Sequence, residues 1–148
     1  MASKTNATDF HLRAKAILAV RHGRELAELM AGTSQLPAGD LPPSALSACM
    51  RRLRVGEVTD GRDLTALEVL HDGIAAALQN EVTETKFEWC SLGREAGENI
   101  WSAVAVPVYT DWGSALHEIQ RRIERFIDAR QQFIDHASAE RLERRHLR

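Results

Sequence analysis

The segment from Lys86 to Trp112, KFEWCSLGREAGENIWSAVAVPVYTDW, constrains the fold of this chain more than any other stretch. It contains all three tryptophans and the only tyrosine, and it is rich in the β-branched and aromatic residues typical of strands. The glycine-containing sequence GREAGE divides it into two strand-like runs. The pattern predicts a β-hairpin over about residues 84–109, in which Pro107 favours an edge position because proline has no backbone N–H.

The sequence before this segment has the periodicity of helices. Residues 10–31 place Phe10, Ala14, Ile17 and Leu18 on one stripe, which predicts an amphipathic helix. Gly23 favours a break within that helix, because an interior glycine costs about 1 kcal/mol relative to alanine.

Two further helices are predicted between the first helix and the hairpin. A loop rich in proline and glycine, TSQLPAGDLPP, precedes a short helix over SALSACMRRLRV. The sequence LTALEVLHDGIAAALQ then has the broad apolar face of a helix that packs against a core.

A long amphipathic helix is predicted from residue 111 to residue 148. Its apolar positions are separated by three, four and seven residues, a spacing that favours packing against the body or against a second copy. We expect a homodimer formed through these positions, which are Leu116, Ile119, Ile123, Phe126 and Phe133.

The fold class is therefore mainly α, with four to five helices and one β-hairpin before the long C-terminal helix. A chain of 148 residues suits a single domain, which we place at residues 9–148 behind a flexible leader of residues 1–8. The C-terminal helix is expected to project from this domain. No apolar run is long enough to cross a membrane and the first residues do not resemble a signal peptide, so we expect a cytoplasmic protein with Cys49 and Cys90 as thiols.

Charge is distributed unevenly along the chain. Residues 57–113 carry three basic and eleven acidic residues, a net charge of −8, whereas residues 1–56 carry a net charge of +4. The acidic segment includes the hairpin. Because opposite charges favour association, a partner of this segment is expected to have a basic surface.

The sequence has no pattern that predicts catalysis. Nucleotide-binding glycine loops and nucleophile motifs are absent, and two Glu-x-x-His pairs, where chance alone gives roughly half of one, are too few to indicate a metal site. We therefore expect no enzymatic activity, no cofactor and no metal.

The function predicted is that of a small non-catalytic adaptor or inhibitor that forms the homodimer described above and contacts a protein partner through its acidic, hairpin-containing segment. Exposed strands and aromatic side chains are both typical of such contacts. The residues predicted to bind the partner are Phe87, Trp89, Glu95, Glu98, Trp101 and Tyr109. The competing interpretation is that Trp89, Trp101 and the hairpin valines complete the core of the monomer.

The order of the elements, three helices, a hairpin and a long helix, resembles that of winged-helix regulators of the PadR or MarR type. The resemblance implies a divergent DNA-binding regulator, which is the alternative function. The third helix would then enter the major groove, but its polar residues are mainly acidic. The expected nucleic-acid contacts are therefore basic residues elsewhere: Arg51, Arg52, Arg54, Arg144 and Arg145.

Overall fold

The computed structural model of the chain describes residues 3–57 and 61–146. The elements follow one another as α1 (Ser3–Ala31), α2 (Pro43–Val55), α3 (Gly61–Leu78), β1 (Val82–Glu95), β2 (Glu98–Tyr109) and α4 (Asp111–His146). The predicted fold class, mainly α with one hairpin before a long final helix, is confirmed. Helix α1 begins at Ser3, within the segment expected to form a leader.

One core joins the four helices. The largest side chain in it is Phe126 of α4, which is fully buried. It lies with apolar side chains from the C-terminal half of α1 and from α2, α3 and the N-terminal half of α4. The other fully buried members include Leu26, Met30, Leu53, Leu67, Leu70, Ile74, Leu116, Ile119 and Ile123.

Helix α1 runs without interruption through Gly23, so the predicted break is wrong. Gly23 is buried, and a Cβ added to it would lie 3.1 Å from Cδ2 of Leu53 and 3.2 Å from Cε2 of Phe126. The glycine therefore serves close packing between helices, and this packing outweighs its low helix propensity.

Helices α1 and α4 continue side by side beyond the core as an antiparallel pair. Arg122 donates a hydrogen bond from Nη1 to Glu25 over 2.7 Å, and Lys15 donates from Nζ to Gln132 over 2.8 Å. Residues earlier in α1 thus meet residues later in α4. Arg122 also donates to Glu118, and this hydrogen bond lowers the pKa of the Glu118 carboxyl group.

An ion pair between a partly exposed arginine and a buried carboxylate connects α2 to the first turn of α3. The Asp63 side chain is 1% exposed, and its carboxylate accepts hydrogen bonds from both Nε and Nη2 of Arg52. The Nε–Oδ2 distance is 2.7 Å. This pairing compensates the desolvation of the carboxylate, which is otherwise costly.

The loop between α1 and α2 crosses α3 at Gly73. A Cβ at this position would lie 1.9 Å from the carbonyl oxygen of Pro37, so only glycine permits the observed approach.

The hairpin is longer and its turn is tighter than the sequence predicted. The strands pair from Val82 and Tyr109 to Glu95 and Glu98, with irregularities at Thr83 and at Leu92. The turn consists of Ala96 and Gly97 alone, both with positive φ, as two-residue hairpin turns of this kind require. The expected six-residue loop is therefore mostly strand.

Candidate protein-binding site

The hairpin is attached to the helices at its base. Thr110 caps α4, because its Oγ1 accepts a hydrogen bond from the backbone N–H of Gly113 over 3.0 Å. The same hydroxyl donates to the carboxylate of Glu81, and the backbone N–H of Thr110 donates to the carbonyl oxygen of Glu81 over 2.9 Å. Tyr109 packs against the core with its ring 5.4 Å from that of His117.

Beyond this base, one side of the hairpin is almost free of polar side chains. Directly paired residues share a face, and the pairs Phe87–Ala105, Trp89–Ala103 and Ser91–Trp101 alternate with pairs on the other side. We call this side the aromatic face. It consists of Phe87, Trp89, Trp101, Ala103, Ala105 and Pro107, with Thr85 and Ser91 at its margins.

The aromatic face lies in solvent. Phe87 and Trp89 are each 72% exposed and Trp101 is 55% exposed. The interpretation that Trp89 and Trp101 complete the core of the monomer is therefore wrong. The physical reason is that the described helices fill their own core with aliphatic side chains and Phe126, while the hairpin contacts them near its base.

The other side of the hairpin is mixed. Charged residues of β1, among them Glu84, Lys86 and Glu88, pair with Val108, Val106 and Val104 of β2. The two remaining predicted contact residues, Glu95 and Glu98, form the last pair before the turn and place two negative charges at the tip. The predicted set therefore divides into an aromatic face, an acidic tip and Tyr109 at the base.

A second exposed apolar surface, on the N-terminal half of α1, was not predicted. Phe10 and Ile17 are each 68% exposed, and Leu18 and Ala14 lie beside them. With Arg13 and Arg21 they line a shallow cleft of about 380 Å³, and we call these six residues the α1 face. Their spacing indicated a helix, but the sequence did not show that α4 would pack on the opposite side, against smaller residues such as Ala19 and Gly23.

An acidic cleft of about 490 Å³ lies between α3 and α4. Glu68 and Asp72 of α3 face Glu124 and Asp128 of α4, and His71 is 2.9 Å from Glu124. Within residues 3–57 and 61–146, no group of three or more His, Cys, Asp or Glu side chains is placed to hold a metal ion.

Four of the five residues predicted to form a dimer lie inside the monomer. Leu116, Ile119, Ile123 and Phe126 have no exposed surface, because they pack against the other three helices. Phe133 lies beyond the core and is half-buried. These four side chains have no surface to offer a second copy, so a dimer has to use other residues.

The arginines predicted to contact nucleic acid are not equivalent. Arg51 and Arg54 are exposed on α2, and Arg145 is exposed near the end of α4. Arg52 is engaged by the Asp63 carboxylate. The side chain of Arg144 lies outside the part of the chain that the structure describes.

Both cysteines are reduced, with Cys49 in the core and Cys90 half-buried on the mixed side of the hairpin.

No helix in the described part of the chain is long and apolar enough to span a membrane. No protein-family model, curated protein or solved structure matches this sequence.

Proposed function

We propose that this chain is a small non-catalytic protein-binding protein, an adaptor or inhibitor, that contacts its partner through the hairpin. The observation that carries the proposal is the exposure of Phe87, Trp89 and Trp101 on one face. Large side chains exposed together in one apolar patch are typical of protein interaction sites. Tryptophan and tyrosine also contribute much of the binding free energy in protein interfaces.

The charges around the hairpin favour a partner with a basic surface. Glu95 and Glu98 lie at the tip, and the acidic cleft between α3 and α4 adds Glu68, Asp72 and Glu124 on the body. Charges of one sign around a contact increase the association rate and exclude partners of the same sign. The complex is therefore expected to weaken as the salt concentration rises.

The winged-helix alternative has less support. A wing flanks the DNA while a helix enters the major groove, yet the exposed side of α3 carries Glu68 and Asp72. Negative side chains at that position repel phosphates. The alternative stays a prediction, and steeply salt-dependent binding to duplex DNA that Arg51→Ala abolishes would support it.

Trp89→Ala tests the proposed function. The tagged chain is purified gently from its own host, the protein retained with it is identified, and the pair is reconstituted from purified components. Trp89→Ala is expected to raise the dissociation constant at least about thirtyfold, as loss of an interface hot spot does. Because Trp89 is exposed, the unfolding midpoint of the monomeric chain should stay unchanged.

The matched control is Val104→Ala, which removes an apolar side chain from the opposite face of the hairpin. It should change the dissociation constant little. Equal losses for both variants, or a fall of many degrees in the midpoint for Trp89→Ala, would contradict a binding role for the aromatic face.

A further inference from the structure

Among the described residues, two exposed surfaces each bring several large apolar side chains together: the aromatic face of the hairpin and the α1 face. The first presents Phe87, Trp89 and Trp101, and the second presents Phe10 and Ile17. Soluble proteins normally expose large apolar residues singly, whereas each of these surfaces groups several of them together. One contact that covered both surfaces would account for both exposures.

The two surfaces do not meet within one copy. The pairs Glu25–Arg122 and Lys15–Gln132 set the register of α1 against α4. In this register the start of α4, where the hairpin is attached, lies at the C-terminal end of α1, whereas the α1 face lies in its N-terminal half. A contact between the surfaces therefore has to join two molecules.

The surfaces are matched in length. The seven residues of extended strand from Thr85 to Ser91 span about 20 Å. Helix α1 from Phe10 to Arg21 spans about 17 Å. Phe87 and Trp89 follow one another along β1 with Trp101 next to them on β2, and the α1 face follows one side of its helix, so the hairpin can lie along the helix.

Their charges are opposite. Between Phe10 and Arg24, α1 carries four basic residues and no acidic one, and Arg13 and Arg21 border the α1 face itself. The hairpin carries four acidic and two basic residues between Val82 and Tyr109, with Glu95 and Glu98 at its tip. Such complementarity favours this pairing over a contact between two hairpins or between two α1 faces.

We propose that the aromatic face of each copy packs on the α1 face of a second copy, so that two copies exchange hairpins in a closed homodimer. The proposal rests on the proposed function, because it identifies a second copy of this chain as the protein with a basic surface. Each copy carries both surfaces, so a twofold axis can repeat the contact and close the assembly.

The area available is sufficient. An aromatic side chain buries about 150–250 Å² when it is fully covered. Each contact buries the exposed parts of three aromatic side chains and the α1 face beneath them. Over both contacts the buried surface reaches about 1,600 Å² in total, the size of a standard stable interface.

The test measures the mass of the full chain in solution, by light scattering after gel filtration and by native mass spectrometry, over a dilution series. The wild type is expected to be a dimer. Trp89→Ala and Ile17→Glu should each raise the dissociation constant at least about thirtyfold. Both residues are exposed, so circular dichroism should show an unchanged helical fold. The controls Val104→Ala on the mixed side of the hairpin and Leu142→Glu on α4 should remain dimeric.

Mixing the two disruptive variants gives the decisive result. Trp89→Ala keeps an intact α1 face and Ile17→Glu keeps an intact hairpin, so a mixture can form one of the two contacts. A heterodimer that is more stable than either variant's homodimer supports the exchange. A dimer that survives Ile17→Glu or Trp89→Ala unchanged overturns it, because the contact would then be between two hairpins or two α1 faces.

A wild type that is monomeric at all concentrations also overturns the exchange. Whether the proposed function fails with it depends on whether the monomer binds another protein. If the monomer retains a different protein through Trp89, the hairpin is a binding site and only the identity of its partner was wrong. If the monomer retains nothing, both proposals fail.

Discussion

At the scale of single residues, the pair of Arg52 and Asp63 is the position where a small change should cost most. The carboxylate is 1% exposed and receives both donors of the guanidinium group. Arg52→Met keeps the length and apolar stem of the side chain but removes its charge. Since this removes the guanidinium charge and both of its hydrogen bonds from a buried carboxylate, the free energy of unfolding should fall by about 3 kcal/mol.

Chemical denaturation of Arg52→Met measures this change. Arg51→Met is the control, because Arg51 is the exposed neighbour on the same helix, and it should change stability by less than about 0.5 kcal/mol. Equal losses of stability in the two variants would show that the ion pair does not contribute to the free energy of unfolding. The result also bears on function, because a structural Arg52 is a poor candidate for a phosphate contact.

The sequence predicts the environment of some single residues correctly and that of others wrongly. Apolar periodicity places Leu67, Leu70 and Ile74 correctly on a core-facing side of α3. It does not reveal that Gly23 is buried at a contact between helices, since a glycine that breaks a helix and one that permits close packing have the same local signature. Only the position of Leu53 and Phe126 distinguishes them.

At the scale of the elements, the junction between β2 and α4 determines how the hairpin is held. Thr110 accepts a hydrogen bond from Gly113 and donates to Glu81, so one hydroxyl group both caps the helix and ties it to the base of the hairpin. Thr110→Ala should therefore lower the free energy of unfolding by about 1 kcal/mol, the usual value of an N-cap.

The same substitution should loosen the hairpin locally. Hydrogen exchange of the amides near Val82 and Tyr109 is expected to accelerate in Thr110→Ala, whereas the amides of the α3 core should change only with global stability. Thr110→Ser retains the hydroxyl and serves as the control. If the serine variant exchanges as fast as the alanine variant, the capping hydrogen bonds are not what fixes the base.

The elements themselves could largely be predicted, but their surroundings could not. The hairpin and the long helix are evident because strand composition and helical spacing are local properties of the sequence. Which face of each element is covered depends on the partners it meets in three dimensions. For this reason the spacing predicts Ile119 and Ile123 at a dimer contact although they lie in the core, and it does not show that Phe10 and Ile17, which share an apolar stripe, are exposed.

At the scale of the whole molecule, the structure separates into a helical body with its own core and a hairpin that contributes little to that core. Every residue of β1 from Val82 to Trp89 is exposed, and the apolar side chains that hold the helices together come from the helices. A two-stranded hairpin is at best marginally stable alone in water. Its persistence therefore depends on its base and on whatever covers its aromatic face.

This separation predicts that the hairpin can be removed. Val82 and Tyr109 are paired at its base, so replacing residues 83–108 with a short glycine–serine turn joins positions that are already neighbours. The shortened chain is expected to keep the helical circular dichroism of the body. Its unfolding midpoint should lie within a few degrees of that of monomeric Trp89→Ala, because almost no core contact is lost.

The same shortened chain should bind neither the protein partner nor a second copy, since it lacks the aromatic face and the acidic tip. A shortened chain that keeps its stability but loses binding would show that the hairpin serves to bind a protein and not to complete the core. A shortened chain that fails to fold would instead show that the hairpin completes the core, and the exposed tryptophans would then need a structural explanation. Because the two outcomes differ in the folded state of the body, one thermal unfolding curve distinguishes them before any partner is identified.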